Sequence, residues 1–163
     1  MKYFVEDVFD APLKDVIEIC LDRSRDTKVY PNVTKSEVKK RETRGSKMYV
    51  TVETLANGDI PPKLRKLVHP HMLTWTEEGI FDYDKNTYDY KVRTHFFSNL
   101  TSIKGHFDYS ERDGKTVRKL EGEIKVNLPL LGQIVEAKVV EVQKANLRLD
   151  VKNILEELKT RKK

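Results

Sequence analysis

Few residues in this chain are equipped for acid–base or ligating chemistry, and they are unevenly placed. The histidines are His69, His71, His95 and His106, the side chains whose ordinary pKa lies closest to neutrality. Two of them end the stretch "GDIPPKLRKLVHPHM", residues 58–72, which also carries Lys63, Arg65 and Lys66. Histidines two apart can share a metal on a strand, but a site takes three or four ligands. The nearest carboxylates, Asp59, Glu77 and Glu78, make no ligand pattern with them. Neither a metal nor a cofactor is therefore expected. Asn57-Gly58 and Pro61-Pro62 break the preceding strand, and "KLRKLV" can close a turn of helix. The stretch reads as an amphipathic lid, with Leu64, Leu67 and Val68 packed down and Lys63, Arg65 and Lys66 facing a headgroup or solvent. Cys20 is alone, in an apolar helical run, and is expected to be a buried structural thiol in a reducing cytoplasm. The chain has no Gly-rich phosphate loop, no G-x-S-x-G and no Cys/His pair. His95 and His106 would serve as a general base only if their strand faces turned inward.

The elements that must position these groups follow from periodicity. "KYFVEDVF" (2–9) is β-rich and stops at Asp10-Ala11-Pro12, where Asp10 is the expected N-cap and Pro12 suits a first helical turn. Leu13, Val16, Ile17, Cys20 and Leu21 recur at helical spacing. A second short helix or turn precedes Pro31. Segments 34–43 and 47–55 form a hairpin about Arg44-Gly45-Ser46, with Met48, Val50 and Val52 at period two. Strands over 72–84, 86–96, 101–111 and 115–127 follow, separated by Asp84-Lys85-Asn86, Phe97-Ser98-Asn99 and Arg112-Asp113-Gly114. Tyr88, Tyr90, Val92, Thr94 and Phe96 share one face, and Asp89, Lys91, Arg93 and His95 the other, the alternation of an antiparallel sheet with one wet face. From Leu130 to about Thr160 the period becomes helical. Leu131, Ile134, Val135, Val139, Val142, Ala145 and Leu149 make a stripe, widened toward the C-terminus by Val140, Leu147, Val151, Ile154, Leu155 and Leu158.

At 163 residues one α+β domain over 1–163 is expected, a six- to seven-stranded curved antiparallel sheet around a long C-terminal helix. No segment is apolar enough to span a membrane, and no signal peptide is legible. Lys plus Arg number 31 against 26 Asp plus Glu, an excess of +5 that favours an acidic partner or an anionic surface. The excess is diffuse and the aromatics oppose the cations across the strands, so nucleic acid is not the expected partner. A sheet gripping a helix leaves an apolar space where the two separate. Met48, Val50, Val52, Tyr88, Tyr90, Val92, Thr94, Phe96, Phe107 and Tyr109 would line it on the sheet side. Leu131, Val135, Val139 and Val142 would line it from the helix.

The order of elements resembles the START-like helix-grip superfamily, which includes the birch-pollen allergen, START lipid-transfer domains and polyketide cyclases. "FVEDVFDAPLKDVIEICLD" is similar to that superfamily's opening strand, turn and helix. "PPKLRKLV", "FDYDKNTYDYKVRTHFFSNLTSI" and "EGEIKV" resemble segments of PRELI-type lipid-transfer domains. A small bacterial START-like family fits the same pattern. The resemblance implies a helix-grip fold, and the chain is expected to be a non-enzymatic carrier or sensor of a hydrophobic small molecule or lipid, with Lys63, Arg65, Lys66 and the basic tail meeting an anionic headgroup or membrane surface. A cyclase- or isomerase-like enzyme in the same pocket is the second expectation, and a nucleic-acid or protein-binding adaptor the third.

Overall fold

The structure is a computed structural model that describes residues 1–58, 60–69 and 72–162. Strand β1 (Lys2–Phe9) leads into helix α1 (Leu13–Leu21), a 3-10 turn (Arg23–Arg25) and the short α2 (Asp26–Val29). Then come β2 (Val33–Arg44), β3 (Lys47–Ala56), β4 (Thr74–Asp82), β5 (Thr87–Thr94), β6 (Thr101–Arg112) and β7 (Lys115–Val126), and finally α3 (Gly132–Arg161). The strands form one curved sheet in the order β1-β7-β6-β5-β4-β3-β2, antiparallel throughout. Hairpins join β2 through β7 in sequence, and β1 closes the far edge against β7. The β6–β7 turn is Asp113-Gly114, both at positive φ (53° and 76°), the backbone that a two-residue hairpin of matching twist requires.

Helix α1 forms where the apolar spacing places it and buries Val16, Ile17 and Ile19. Its N-cap is Pro12 rather than Asp10. The carbonyl of Pro12 accepts from the Asp15 and Val16 amides, and no side chain caps the helix. Pro12 is itself extended (φ −60°, ψ 142°), so the proline ring sets the entry angle and leaves Asp10 outside it.

Two apolar clusters hold the sheet and helices together. The C-terminal half of α3 packs Ile154 and Leu158 against Phe9, Ala11, Val16 and Ile19. The larger cluster joins Met48, Val50, Val52, Phe81, Tyr88, Tyr90, Leu120 and Ile124 of the sheet to Val140 and Leu147 of α3. At its other end, α3 is tied to the sheet by Glu136, which accepts from the Val126 amide at 2.8 Å and from the terminal ammonium of Met1 at 3.2 Å. Between the ends the helix stands away from the strands.

The inward stripe of α3 differs from the one read in the sequence. Ile134 and Leu149 are each 38% exposed and Ala145 faces solvent, whereas Asn146 and Asp150 turn inward beside Leu147. A helix gripped at both ends takes the rotation that its best-packed end dictates. Here that end is the cluster around Ile154 and Leu158.

Candidate functional site

The space between the sheet and the N-terminal half of α3 is a cavity of about 550 Å³. Twelve of the fourteen expected wall residues line it: Met48, Val50, Tyr88, Tyr90, Val92, Thr94, Phe96, Phe107, Tyr109, Val135, Val139 and Val142. Val52 points the same way but is wholly covered, at 0% exposure. Leu131 is also off the cavity. It is the N-cap of α3, ahead of the first helical turn, so it does not share the helix face. Phe96 lies beyond the end of β5 and is 41% exposed at the cavity's edge.

An aromatic floor comes from β5 and β6. Tyr88 stacks on Tyr90 with ring centroids 6.0 Å apart, and Phe107 on Tyr109 at 6.2 Å. Tyr88 and Tyr90 lie low against the sheet because Gly79 and Gly105 beneath them leave room. A Cβ at Gly105 would stand 2.5 Å from the Tyr90 ring, and one at Gly122 would collide with Tyr3. The cavity owes part of its depth to these missing side chains.

The mouth is framed by the β3–β4, β5–β6 and β7–α3 connections. Pro62–Leu64 forms a 3-10 turn extended by amide bonds from Leu67 and Val68 to the Leu64 carbonyl. Leu64 is buried against the cavity and Lys63, Arg65 and Lys66 face outward. Leu67 lines the cavity yet is 48% exposed, so it sits at the rim instead of packing down. The Asn127 amide donates to the Leu100 carbonyl at 2.7 Å, which joins the other two connections into one rim. Phe97 (φ 58°) and Leu130 (φ 64°) occupy left-handed backbone there, Phe97 half-exposed at the cavity's edge and Leu130 out in solvent at 98% exposure. Pro70 and His71 lie outside the described residues. Among the described residues no three His, Cys, Asp or Glu side chains gather as metal ligands.

A buried ionic network stands at the cavity's inner end, where the sequence reading named no charged residue. Asp150 of α3 bridges two guanidiniums, accepting from Arg118 Nη1 at 2.6 Å and from Arg25 Nη2 at 2.8 Å. Arg118 also donates to Asp7 (2.8 Å), and Arg25 to Asn153 (2.7 Å) and the Ile19 carbonyl (3.1 Å). Nearby, Arg23 donates to Asp26 at 2.9 Å and to Glu77 at 2.7 Å, and the Tyr88 hydroxyl donates to the same Glu77 oxygen at 2.6 Å. Burial pushes the Glu77 carboxyl up, but the Arg23 charge and these hydrogen bonds outweigh it and hold it below the ordinary glutamate value. Burial raises the Cys20 thiol in spite of Arg118, so it stays protonated where it lines the cavity. Among the described residues no buried side-chain nitrogen or oxygen lacks a partner.

Part of this network was written in the strand and helix periods. Arg118 alternates inward with Leu120, Ile124 and Val126, and Glu77 with Phe81. Asp150 falls between Leu147 and Ile154 on the helix. A charge at an inward position of an apolar stripe is the signal. Arg23 and Arg25 come from irregular backbone, where no period exists to read.

His95 and His106 are on the outer face. His95 Nε2 lies 2.8 Å from Thr76 Oγ1, and His106 Nδ1 lies 2.6 Å from Asp89 Oδ1. The faces did not turn inward, because Tyr88, Tyr90 and Val92 occupy the inward parity of β5 and Ile103, Phe107 and Tyr109 that of β6. A shallow depression of about 660 Å³ also lies on the outer face. Its cross-strand row reads Glu78, Lys91, Lys104, Glu123, in which the two signs neutralise each other.

The profile of a family described as "Protein of unknown function (DUF2505)" matches residues 5–156. The chain belongs to that family. No curated protein sequence matches it. Among solved structures, TTHA0849 from Thermus thermophilus is 17% identical with a TM-score of 0.66, over 96% of this chain and 95% of that one. The Zhui aromatase/cyclase from Streptomyces sp. R1128 is 16% identical with a TM-score of 0.66, over 100% and 96%. Ara h 8.0201 is 13% identical with a TM-score of 0.63, over 96% and 98%. These likenesses establish the START-like helix-grip fold for this member of the family.

Proposed function

We propose that this DUF2505 protein binds a hydrophobic small molecule or lipid in the cavity between its sheet and α3, as a carrier or sensor. The observation that carries this reading is the cavity itself. Ordinary interiors close-pack and leave few voids larger than a water molecule, whereas this one keeps about 550 Å³ lined mostly by apolar side chains. Apolar area withdrawn from water would supply affinity at about 25 cal/mol per Å². An enzyme using His95 or His106 as base is disfavoured, because both lie on the opposite side of the sheet. Glu77, the carboxylate facing the cavity beside Tyr88, is tied to Arg23 and made a weaker base by it. The mixed-sign outer face likewise offers no continuous basic track for nucleic acid.

Loading belongs to the same reading. Leu67, Phe97 and Leu130 surround the mouth, beside outward Lys63, Arg65 and Lys66, which suits peripheral contact with an anionic membrane. The binding claim is tested with N-phenyl-1-naphthylamine, whose fluorescence rises in apolar surroundings. Saturable one-to-one binding is expected, weakened at least tenfold in Val139→Trp, whose indole takes up part of the cavity beside the aromatic floor, with circular dichroism checking that the variant is folded. Absence of binding, or binding unchanged in Val139→Trp, overturns the reading.

A further inference from the structure

We infer that the cavity takes an uncharged amphiphile, a hydrophobic skeleton bearing a hydroxyl or carbonyl group, and that Gln143 and Asn146 of α3 engage that group. This rests on the binding reading above and specifies the ligand's chemistry.

The charges at the inner end are already spoken for. Three guanidiniums, Arg23, Arg25 and Arg118, face four carboxylates, Asp7, Asp26, Glu77 and Asp150, and each guanidinium bonds directly to at least one of them. Arg118 alone spends its Nε, Nη1 and Nη2 on Asp7 and Asp150. An entering anion would lose its hydration and meet no uncommitted cation there. An entering cation would have to draw a carboxylate away from its arginine. Burying an unpaired charge lowers affinity by orders of magnitude even after relaxation. The remaining cations of the wall, Arg41 and Lys138, are reached by solvent and also engaged. Arg41 donates to the Leu21 carbonyl, and Lys138 stands 3.5 Å from Glu141.

Gln143 and Asn146 differ from all of these. They stand one turn apart on α3, on the cavity wall near Val139, Val142 and Leu147. Neither side chain hydrogen-bonds to another described residue, whereas the ionic groups beside them are saturated. A carboxamide both donates and accepts while carrying no charge, which matches a hydroxyl or a carbonyl. A pure hydrocarbon would cover these amides and leave them unpaired, which lowers its affinity.

The test displaces bound N-phenyl-1-naphthylamine with three ligands of one chain length: 1-dodecanol, dodecanoate and dodecylammonium. Dodecanol is expected to displace the probe at concentrations at least tenfold below either ion. Gln143→Leu/Asn146→Leu should weaken dodecanol about tenfold, while the largely hydrocarbon probe binds at least as tightly as before. Asn146→Asp, nearly isosteric, should shift the preference toward dodecylammonium, and it serves if the double variant fails to fold. Dodecanoate competing as well as dodecanol would overturn the inference and leave the binding reading standing. Dodecanol affinity unchanged in the folded variants would overturn the role given to the two amides. Failure of the probe to bind at all would sink both readings together.

Discussion

At the scale of single residues, Phe97 and Leu130 are the most informative. Left-handed backbone costs a residue with a Cβ about 1 kcal/mol or more, and here two large apolar residues adopt it, one half-exposed at the cavity's edge and one out in solvent. Folding gains nothing visible from the Leu130 side chain, and Phe97 is only partly covered at the cavity's edge. Asparagine tolerates the same φ and is polar. Replacing both, as Phe97→Asn/Leu130→Asn, is therefore expected to raise stability by about 1 kcal/mol in thermal unfolding. The same variant should lower co-sedimentation with vesicles containing anionic phospholipid. A drop in stability with vesicle binding unchanged would show that the two side chains serve the fold and not a surface. The aromatic and aliphatic composition of these loops was legible in the sequence. Their left-handed backbone was not, because neither residue type announces a positive φ.

At the scale of elements, the sheet is shaped as much by absent side chains as by present ones. Gly79, Gly105 and Gly122 stand beneath Tyr88, Tyr90 and Tyr3, so the rings lie flat and the cavity stays deep. A methyl at Gly105 has to push the Tyr90 ring toward α3, since the atoms it meets belong to a rigid aromatic plane. Gly105→Ala is expected to cost about 1–3 kcal/mol by overpacking, measured by urea unfolding. It should also reduce the affinity for N-phenyl-1-naphthylamine, a loss that mere destabilisation would not produce in the folded fraction. Strand parity announced that the tyrosines face inward. Their flatness depends on which residue pairs with which across strands, such as Tyr90 with Gly105, and the register is a tertiary result.

At the scale of the whole molecule, Asp150 joins parts far apart in sequence. It holds Arg25 from the connection after α1 and Arg118 from β7, and Arg118 in turn holds Asp7 of β1. Removing the carboxylate leaves two guanidiniums facing each other in a buried space. Asp150→Ala is expected to destabilise the fold by about 3–5 kcal/mol, the range for breaking one side of a buried ion pair. Asp150→Asn, which keeps the shape and some hydrogen bonds, should cost less. Thermal and denaturant unfolding of both variants measures the difference, and equal small losses would show that the network contributes little.

The sequence by itself determined the secondary structure, the alternation of the sheet and the helix-grip order, because strand and helix periods are local and the turns carry their own chemistry. It also pointed to an apolar face on each partner, since burial leaves a period in the residue types. The tertiary structure decided how far apart those faces stand. That gap is set by the two ends of α3, one fastened through Glu136 and the other through Ile154 and Leu158. It decided too which partners the inward polar groups meet, joining Arg118, Glu77 and Asp150, whose inward positions the periods already showed, to Arg23 and Arg25 from irregular backbone or to one another. A charge takes its role from partners that only the folded chain brings near, and such partners leave no period to read.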